Sequence, residues 1–161
     1  MKIHTGKNTV LEGKISMQEN CSFWHNAVLR ADTAAIRIGK NTNIQDGVII
    51  HAGEGHDVTL GDSVTAGHGA ILHGCTVKDD VIIGMGAIIM NNAVIEDHCI
   101  VGAGALVTED RHYPAGSLIL GSPARVIRPL TEAERRKCED NAAHYVKMAE
   151  DELDETEWKE C

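Results

Sequence analysis

Apolar side chains recur every six residues through the middle of the chain. They stand at Ile38, Ile44 and Ile50, at Leu60, Ala66 and Leu72, and at Val77, Ile83, Ile89, Ile95, Val101 and Val107. Four residues after each anchor comes a small or β-branched residue: Thr42, Val48, Val64, Ala70, Thr76, Val81, Ala87, Ala93, Cys99 and Ala105. Such a period describes one short strand and one turn per unit, and no unit of that size can bury an apolar face alone. The units must stack into a solenoid in which each coil covers the next. With three units to a triangular coil, residues eighteen apart share a column.

Two steps break the rhythm. Ile50 to Leu60 carries four extra residues, and Leu72 to Val77 is one short. Gly39, Gly61, Gly67, Gly84 and Gly102 directly follow anchors and read as suppliers of the backbone angles at corners. Before Ile36 the pattern thins to Val10, Ile15, Cys21 and Ala27, which suggest irregular early coils, and Phe23-Trp24 reads as an end cap or subunit contact. Asp110 to Pro129, punctuated by Pro114, Gly116, Gly121, Pro123 and Pro129, reads as a loop-rich strap that leaves the prism. Thr131 with Glu134 forms the signature of a capping box. Cys138, Ala142, Tyr145, Val146, Ala149 and Leu153 then make an apolar stripe at helical spacing, with a charged end from Glu150 to Cys161 expected to fray. The expected organisation is a repeat body with end cap and strap over 1–129 and a C-terminal helix over 130–161.

The repeat contains three histidines, at His51, His68 and His73. Taken singly, each reads as a surface or corner residue. His51 and His73 are twenty-two apart, or eighteen once the four-residue insertion is discounted. They should stack on adjacent coils, about one strand spacing of ~4.8 Å apart. Two imidazoles at that separation can converge on one metal ion at about 2.0–2.1 Å. His68 lies in the preceding hexapeptide and should point from a different face, so it completes a site only by reaching a neighbouring chain. The spacing therefore predicts a three-histidine metal site shared between subunits.

Composition narrows the rest. Aromatics are 3% and glycines number 16, poor material for a bulky core but suited to a thin prism. Net charge is −9, concentrated in the last 31 residues, and no basic stripe offers itself to nucleic acid. The start lacks the apolar region of a signal peptide and no stretch is apolar enough to span a bilayer. The five cysteines are odd in number and form no CxxC pair, which fits a reducing cytoplasm better than a disulfide framework. Cys75 reads as a small corner residue rather than a fourth ligand, and the GMGA and GAGA stretches as corners rather than phosphate loops. His4, His25, His98, His112 and His144 lack ligand spacing.

The stretches NIQDGVIIH (43–51) and GHGAILHG (67–74), with Arg30-Ala31-Asp32 upstream and GSPARVIR (121–128) downstream, resemble the γ-class carbonic anhydrase family. The resemblance implies an all-β solenoid, specifically a left-handed parallel β-helix with a C-terminal α-helix packed alongside, assembled as a homotrimer with metal sites between subunits. It implies ligation by His51 and His73 of one subunit and His68 of the next, and a zinc cofactor, with iron or cobalt as alternatives. It also implies reversible hydration of CO2 to bicarbonate. By the same resemblance Gln45 faces metal-bound water, Asn43 lies near the CO2 pocket, and Asn141 on the helix can reach the site, with Tyr145 better suited to packing. Arg30 and Asp46 match an interface ion pair, and Asp32 a further interface partner. One departure stands out: Thr33 occupies the place where some members carry a proton-transferring glutamate, which leaves Glu54 or His56 for that role. Since GSPARVIR also resembles hexapeptide acyltransferases, acyl transfer or acyl-CoA thioester hydrolysis is the second reading, and a metal-stabilised scaffold without turnover the third.

Overall fold

The computed structural model of the chain describes residues 2–158. It is a parallel β-solenoid of three faces with one helix laid along it. The first face stacks Lys2–Thr5, Ser22–Phe23, Asn43–Ile44, Thr65–Ala66, Ile82–Ile83, Ile100–Val101 and Ser117–Gly121. The long strand Val28–Ile38 turns the corner between the other two faces. Its beginning pairs with Ile49–Ala52 on the second face, followed by Ile71–His73, Ile88–Ile89 and Leu106–Val107. Its end pairs with Val58–Leu60 on the third, followed by Thr76–Val77, Val94–Ile95 and His112–Tyr113. On the first face Ile44, Ala66, Ile83, Val101 and Ile119 lie in one register. The insertion and the short step are both absorbed at corners, so every column survives them.

The anchors and the small residues at the corners fill the prism and are buried. Past the short step the frame shifts by one: Cys75, not Thr76, is the inward corner residue, and Thr76 is half-buried. The glycines that follow anchors serve a purpose different from the one expected. Gly39, Gly61, Gly67, Gly84 and Gly102 do not take positive φ. At Gly84 an added Cβ would lie 2.5 Å from the Ala103 nitrogen of the next coil, so what is required there is close approach of backbones. Positive φ is found instead at Gly47, Gly69, Gly86 and Gly104 on the edge between first and second faces, and at Asn41, Ser63, Asp80 and His98 on the edge between third and first.

Both ends of the chain are more regular than the sequence suggests. The early coils include strands of eight and eleven residues, Val10–Met17 and Val28–Ile38. Phe23 is not an end cap: it is wholly buried in the first face, in register with Ile44. Trp24 meets Tyr145 of the helix edge to face at 5.6 Å, within the same chain. The segment Asp110 to Pro129 does not leave the prism at once, because His112–Tyr113 and Ser117–Gly121 continue two of its faces before Ala124–Pro129 turns back antiparallel. The charged C-terminus does not simply fray either. Asp154–Glu157 pairs antiparallel with Lys2–Thr5, so a reversed strand closes each end of the first face. Lys159 to Cys161 lie outside the described residues.

The helix Glu132–Glu152 begins at the capping box, in which the Thr131 hydroxyl accepts from the Glu134 amide while the Glu134 carboxylate accepts from the Thr131 amide. Arg128 holds that carboxylate in a bidentate pair, which together with the cap lowers the Glu134 pKa to about 2. Cys138, Ala142 and Ala149 are the buried residues of the helix, and it packs against the first face. The second face has no such cover. Val28, Ile49, Ile71, Ile88 and Leu106 form one outward column along it, with Ile49 44% and Ile88 38% exposed.

Candidate metal centre

The edge between second and third faces holds the first half of the candidate site. Arg30, His51 and His73 stand in register on successive coils. The two rings have centroids 4.8 Å apart, and His51 Nδ1 lies 2.8 Å from His73 Nε2. Each outer nitrogen is also engaged. His51 Nε2 lies 3.0 Å from a carboxylate oxygen of Asp32, and His73 Nδ1 lies 2.5 Å from Asn91 Oδ1. Asp32 is further bonded by Arg30. The hydrogen bond from His51, then the Arg30 guanidinium, hold the Asp32 carboxyl below its ordinary pKa, so it is an acceptor only. The carbonyl oxygen of Asn91 is an acceptor as well. Both outer nitrogens thus have acceptors for a hydrogen, which leaves the two inner nitrogens facing one another. At 2.8 Å the two inner nitrogens either share one hydrogen in an N–H···N bond or, with both lone pairs turned inward, hold a cation between them. Two imidazoles whose far nitrogens are held by a carboxylate and a carbonyl are also what a metal-binding pair needs. The donor set fits an ion of the zinc, iron or cobalt kind.

The edge between first and second faces holds the other half. His68 follows the strand Thr65–Ala66 at that corner, so it stands at the opposite margin of the second face from His73. Its Nδ1 lies 3.0 Å from an Asp46 carboxylate oxygen. Its backbone amide donates to Gln45 Oε1, which orients that side chain so that Gln45 Nε2 donates to Asn43 Oδ1. Asn43 Nδ2 then donates to Thr65 Oγ1 at 2.9 Å, and Asn141 Nδ2, arriving from the helix, donates to the same oxygen at 2.8 Å. With both acceptor sites of the hydroxyl filled, its own hydrogen is left to point into the cleft between coils and helix. Gln45, Thr65, His68 and Asn141 line that cleft, and the outward Ile82 and Ile100 make it apolar. Tyr145 lines it too, its phenol pKa raised by burial and then by the nearby Asp46 and Glu152 carboxylates.

The ten residues singled out in the sequence thus divide into two groups. Arg30, Asp32, His51, His73 and Glu54 lie on the second–third edge, with Glu54 exposed on the inserted loop. Asn43, Gln45, Asp46, His68 and Asn141 lie on the first–second edge. Within one chain Arg30 bonds Asp32, and Asp46 faces His68. His56, on the inserted loop, is tied to Asn92 Oδ1 at 3.0 Å. Sequence reasoning missed Asn91 and Thr65. Asn91 follows His73 by eighteen residues, one coil, and that spacing could have found it. Nothing in the repeat marks Thr65 as the residue the helix would reach.

A protein of Methanocaldococcus jannaschii named "Probable carbonic anhydrase" is 44% identical over 148 residues, covering 92% of this chain and 93% of its own length. The chain belongs to the γ-class carbonic anhydrase family. "Gamma carbonic anhydrase 1, mitochondrial" of Arabidopsis thaliana is 40% identical over 86% of this family member, which spans about half (52%) of that longer relative. The pattern described as "Bacterial transferase hexapeptide (six repeats)" matches residues 74–109. Among solved structures, a hexapeptide transferase family protein from Anaplasma phagocytophilum superposes with a TM-score of 0.85 at 33% identity, covering 94% of this chain and 93% of that one. Among the described residues no helix is long and apolar enough to cross a membrane.

Proposed function

We propose that this chain is the subunit of a trimeric, metal-dependent carbonic anhydrase that hydrates CO2 reversibly. Its ion would be held by His51 and His73 of one copy and His68 of the next. The observation that carries this reading is the opposed pair of imidazole nitrogens, their far sides anchored by Asp32 and Asn91, set across one face from a third histidine that the same chain cannot bring to them. The exposed column of Ile49, Ile71 and Ile88 runs between the two half-sites, and a second copy laid over it would bury the column and join the halves. Arg30 of one copy would then face Asp46 of the next.

Bound there, zinc (or iron or cobalt, which accept the same donors) supplies a hydroxide nucleophile near neutral pH, as is known for carbonic anhydrase zinc. The chain supplies the rest. Asp32 and Asn91 fix the tautomers of His51 and His73. The cleft offers CO2 an apolar wall of Ile82 and Ile100, with the Thr65 hydroxyl beside it to meet an oxygen. Asn43 and Asn141 hold that hydroxyl in place, and Gln45 orients the attacking oxygen. Glu54, exposed on the loop that follows His51, carries the released proton to solvent, the more mobile choice because His56 is already bonded. The four described cysteines are free, which suits a reducing compartment and, on our reading, the cytoplasm.

Complementation tests the shared site. His68→Ala and His73→Ala proteins should each be inactive in stopped-flow hydration assays. Mixed and reassembled one to one, they should recover about a quarter of wild-type activity, because a heterologous interface then pairs two intact halves that often. No recovery on mixing, or no activity in fully zinc- and iron-loaded wild type, rejects the reading. The likeness to a hexapeptide transferase family protein keeps acyl transfer as a second reading. Activity toward an acyl-CoA that survives chelation would favour it.

A further inference from the structure

The third edge of the prism, between third and first faces, carries neither half-site. Its corner residues take positive φ on successive coils: Asn41, Ser63, Asp80, His98 and Gly116. Asn, Asp, His and Gly are the residues that take that conformation most readily. His98 stands directly after Asp80 in the stack, and the helix brings Glu139 against both. One ligand atom from each of Asp80, His98 and Glu139 lies within 4.8 Å of the others. His98 Nδ1 is buried, although its side chain is 36% exposed, and it makes no hydrogen bond; Asp80 Oδ2 is its ion-pair neighbour at 3.8 Å. A buried ring nitrogen without a partner is rare in a folded protein and calls for one. The surroundings are strongly negative, with the carboxylates of Glu139, Asp79 and Asp97 close enough to act on Asp80.

We infer that Asp80, His98 and Glu139 form a second metal site, independent of the one shared between subunits, that takes a divalent transition ion of the zinc class. One imidazole nitrogen and two carboxylate oxygens are a donor set such ions accept, and the imidazole weighs against magnesium or calcium, which prefer oxygen alone. The ion fills the position that His98 Nδ1 faces and offsets the crowded carboxylates. Because two ligands belong to the coils and one to the helix, it also pins the helix to the prism. Glu139 is two residues from Asn141, whose amide reaches Thr65 in the cleft. The site therefore sets the helix register from which Asn141 enters the cleft.

Zinc stoichiometry, measured by equilibrium dialysis and elemental analysis on the full chain, tests this. Wild type should hold two ions per chain, and Glu139→Ala one. His73→Ala, which dismantles the shared site, should still hold one, and that ion should be lost when Glu139→Ala or His98→Asn is added. Asparagine is chosen because it tolerates positive φ. In the His73→Ala background, zinc at a hundred times its Kd should raise Tm by roughly 5–10 °C, an effect absent from the Glu139→Ala double variant. Magnesium should do neither. The inference is overturned if His73→Ala binds no zinc, or if its bound zinc is indifferent to both substitutions. Should His73→Ala fail to fold, a wild-type stoichiometry unchanged by Glu139→Ala overturns it equally. Loss of the shared ion alone would strike the proposed function and leave this site standing.

Discussion

Asn91→Ala should weaken zinc binding at the shared site without touching a single ligand. Asn91 Oδ1 is the acceptor for His73 Nδ1 at 2.5 Å, and that bond keeps the hydrogen on Nδ1 so that the Nε2 lone pair faces His51. Without it the ring is free to exchange tautomers and to rotate. Each alternative removes a donor from the pair. Loss of such an outer partner costs about 10–100-fold in metal affinity, or about 1.4–2.7 kcal/mol. The assay is a competition titration with a zinc chelator, run in the Glu139→Ala background so that only the shared site is read. Asn91→Asp, which restores an acceptor and adds charge, should recover wild-type affinity or exceed it. If Asn91→Ala folds normally and its zinc Kd stays within about twofold of the parent, the bond does not set the tautomer, and the inference of opposed lone pairs fails with it.

Three further outcomes are expected. Thr65→Val should slow CO2 hydration at least tenfold and cost about 1–3 kcal/mol of stability, because the amides of Asn43 and Asn141 lose their shared acceptor, while Thr65→Ser retains both properties; kinetics and urea unfolding separate the two effects. Gly86→Ala, at φ +65 with open space around it, should cost about 1–2 kcal/mol, whereas Gly84→Ala, which meets the backbone of the next coil, should cost about 3 kcal/mol or more; thermal melts in which the two are equal would refute the close-approach account. Burial lifts the Cys75 thiol to about 12 from an ordinary 9, so the folded state keeps a proton that the unfolded chain releases. This contribution to stability is whole below pH 9 and declines as pH rises toward 12, by about 1.4 kcal/mol at pH 10; urea unfolding at pH 8 and 10 should register it, and Cys75→Ala should shrink the difference by about that amount, the Cys21 and Cys138 thiols, each lifted to about 11, keeping the rest.

Much of the fold was legible because a solenoid writes itself in one dimension. The six-residue period, corrected for one insertion, is enough to place His51 in register with His73. The same counting fails locally at Cys75 and Thr76, where a short step moves the inward position relative to the anchor before it but not to the anchor after it. Periodicity separates inward from outward residues and says little about which outward residues meet. That Asn141 bonds Thr65, seventy-six residues away, depends on how the helix lies on the first face. The resemblance assigns Asp32 to an interface; its contact with His51 inside one chain joins neighbouring coils through side chains, which the repeat does not predict. The reversed terminal strand carries no such signal for a different reason: its sequence, DETE, is polar throughout and has no apolar side to mark a strand.

A stack of parallel strands is open at top and bottom, and each open rim invites another stack to dock and continue it. In this protein both rims of the first face are sealed by chain running the other way, Asp154–Glu157 at the start and Ala124–Pro129 at the finish. Growth along the axis is thereby blocked at this face, and the acidic DETE segment adds charge at one of the seals. What stays open to association is the flank, where the second face carries its exposed apolar column. Deleting the last eight residues would reopen one rim, and the expected product is a fibre-forming chain rather than a smaller particle.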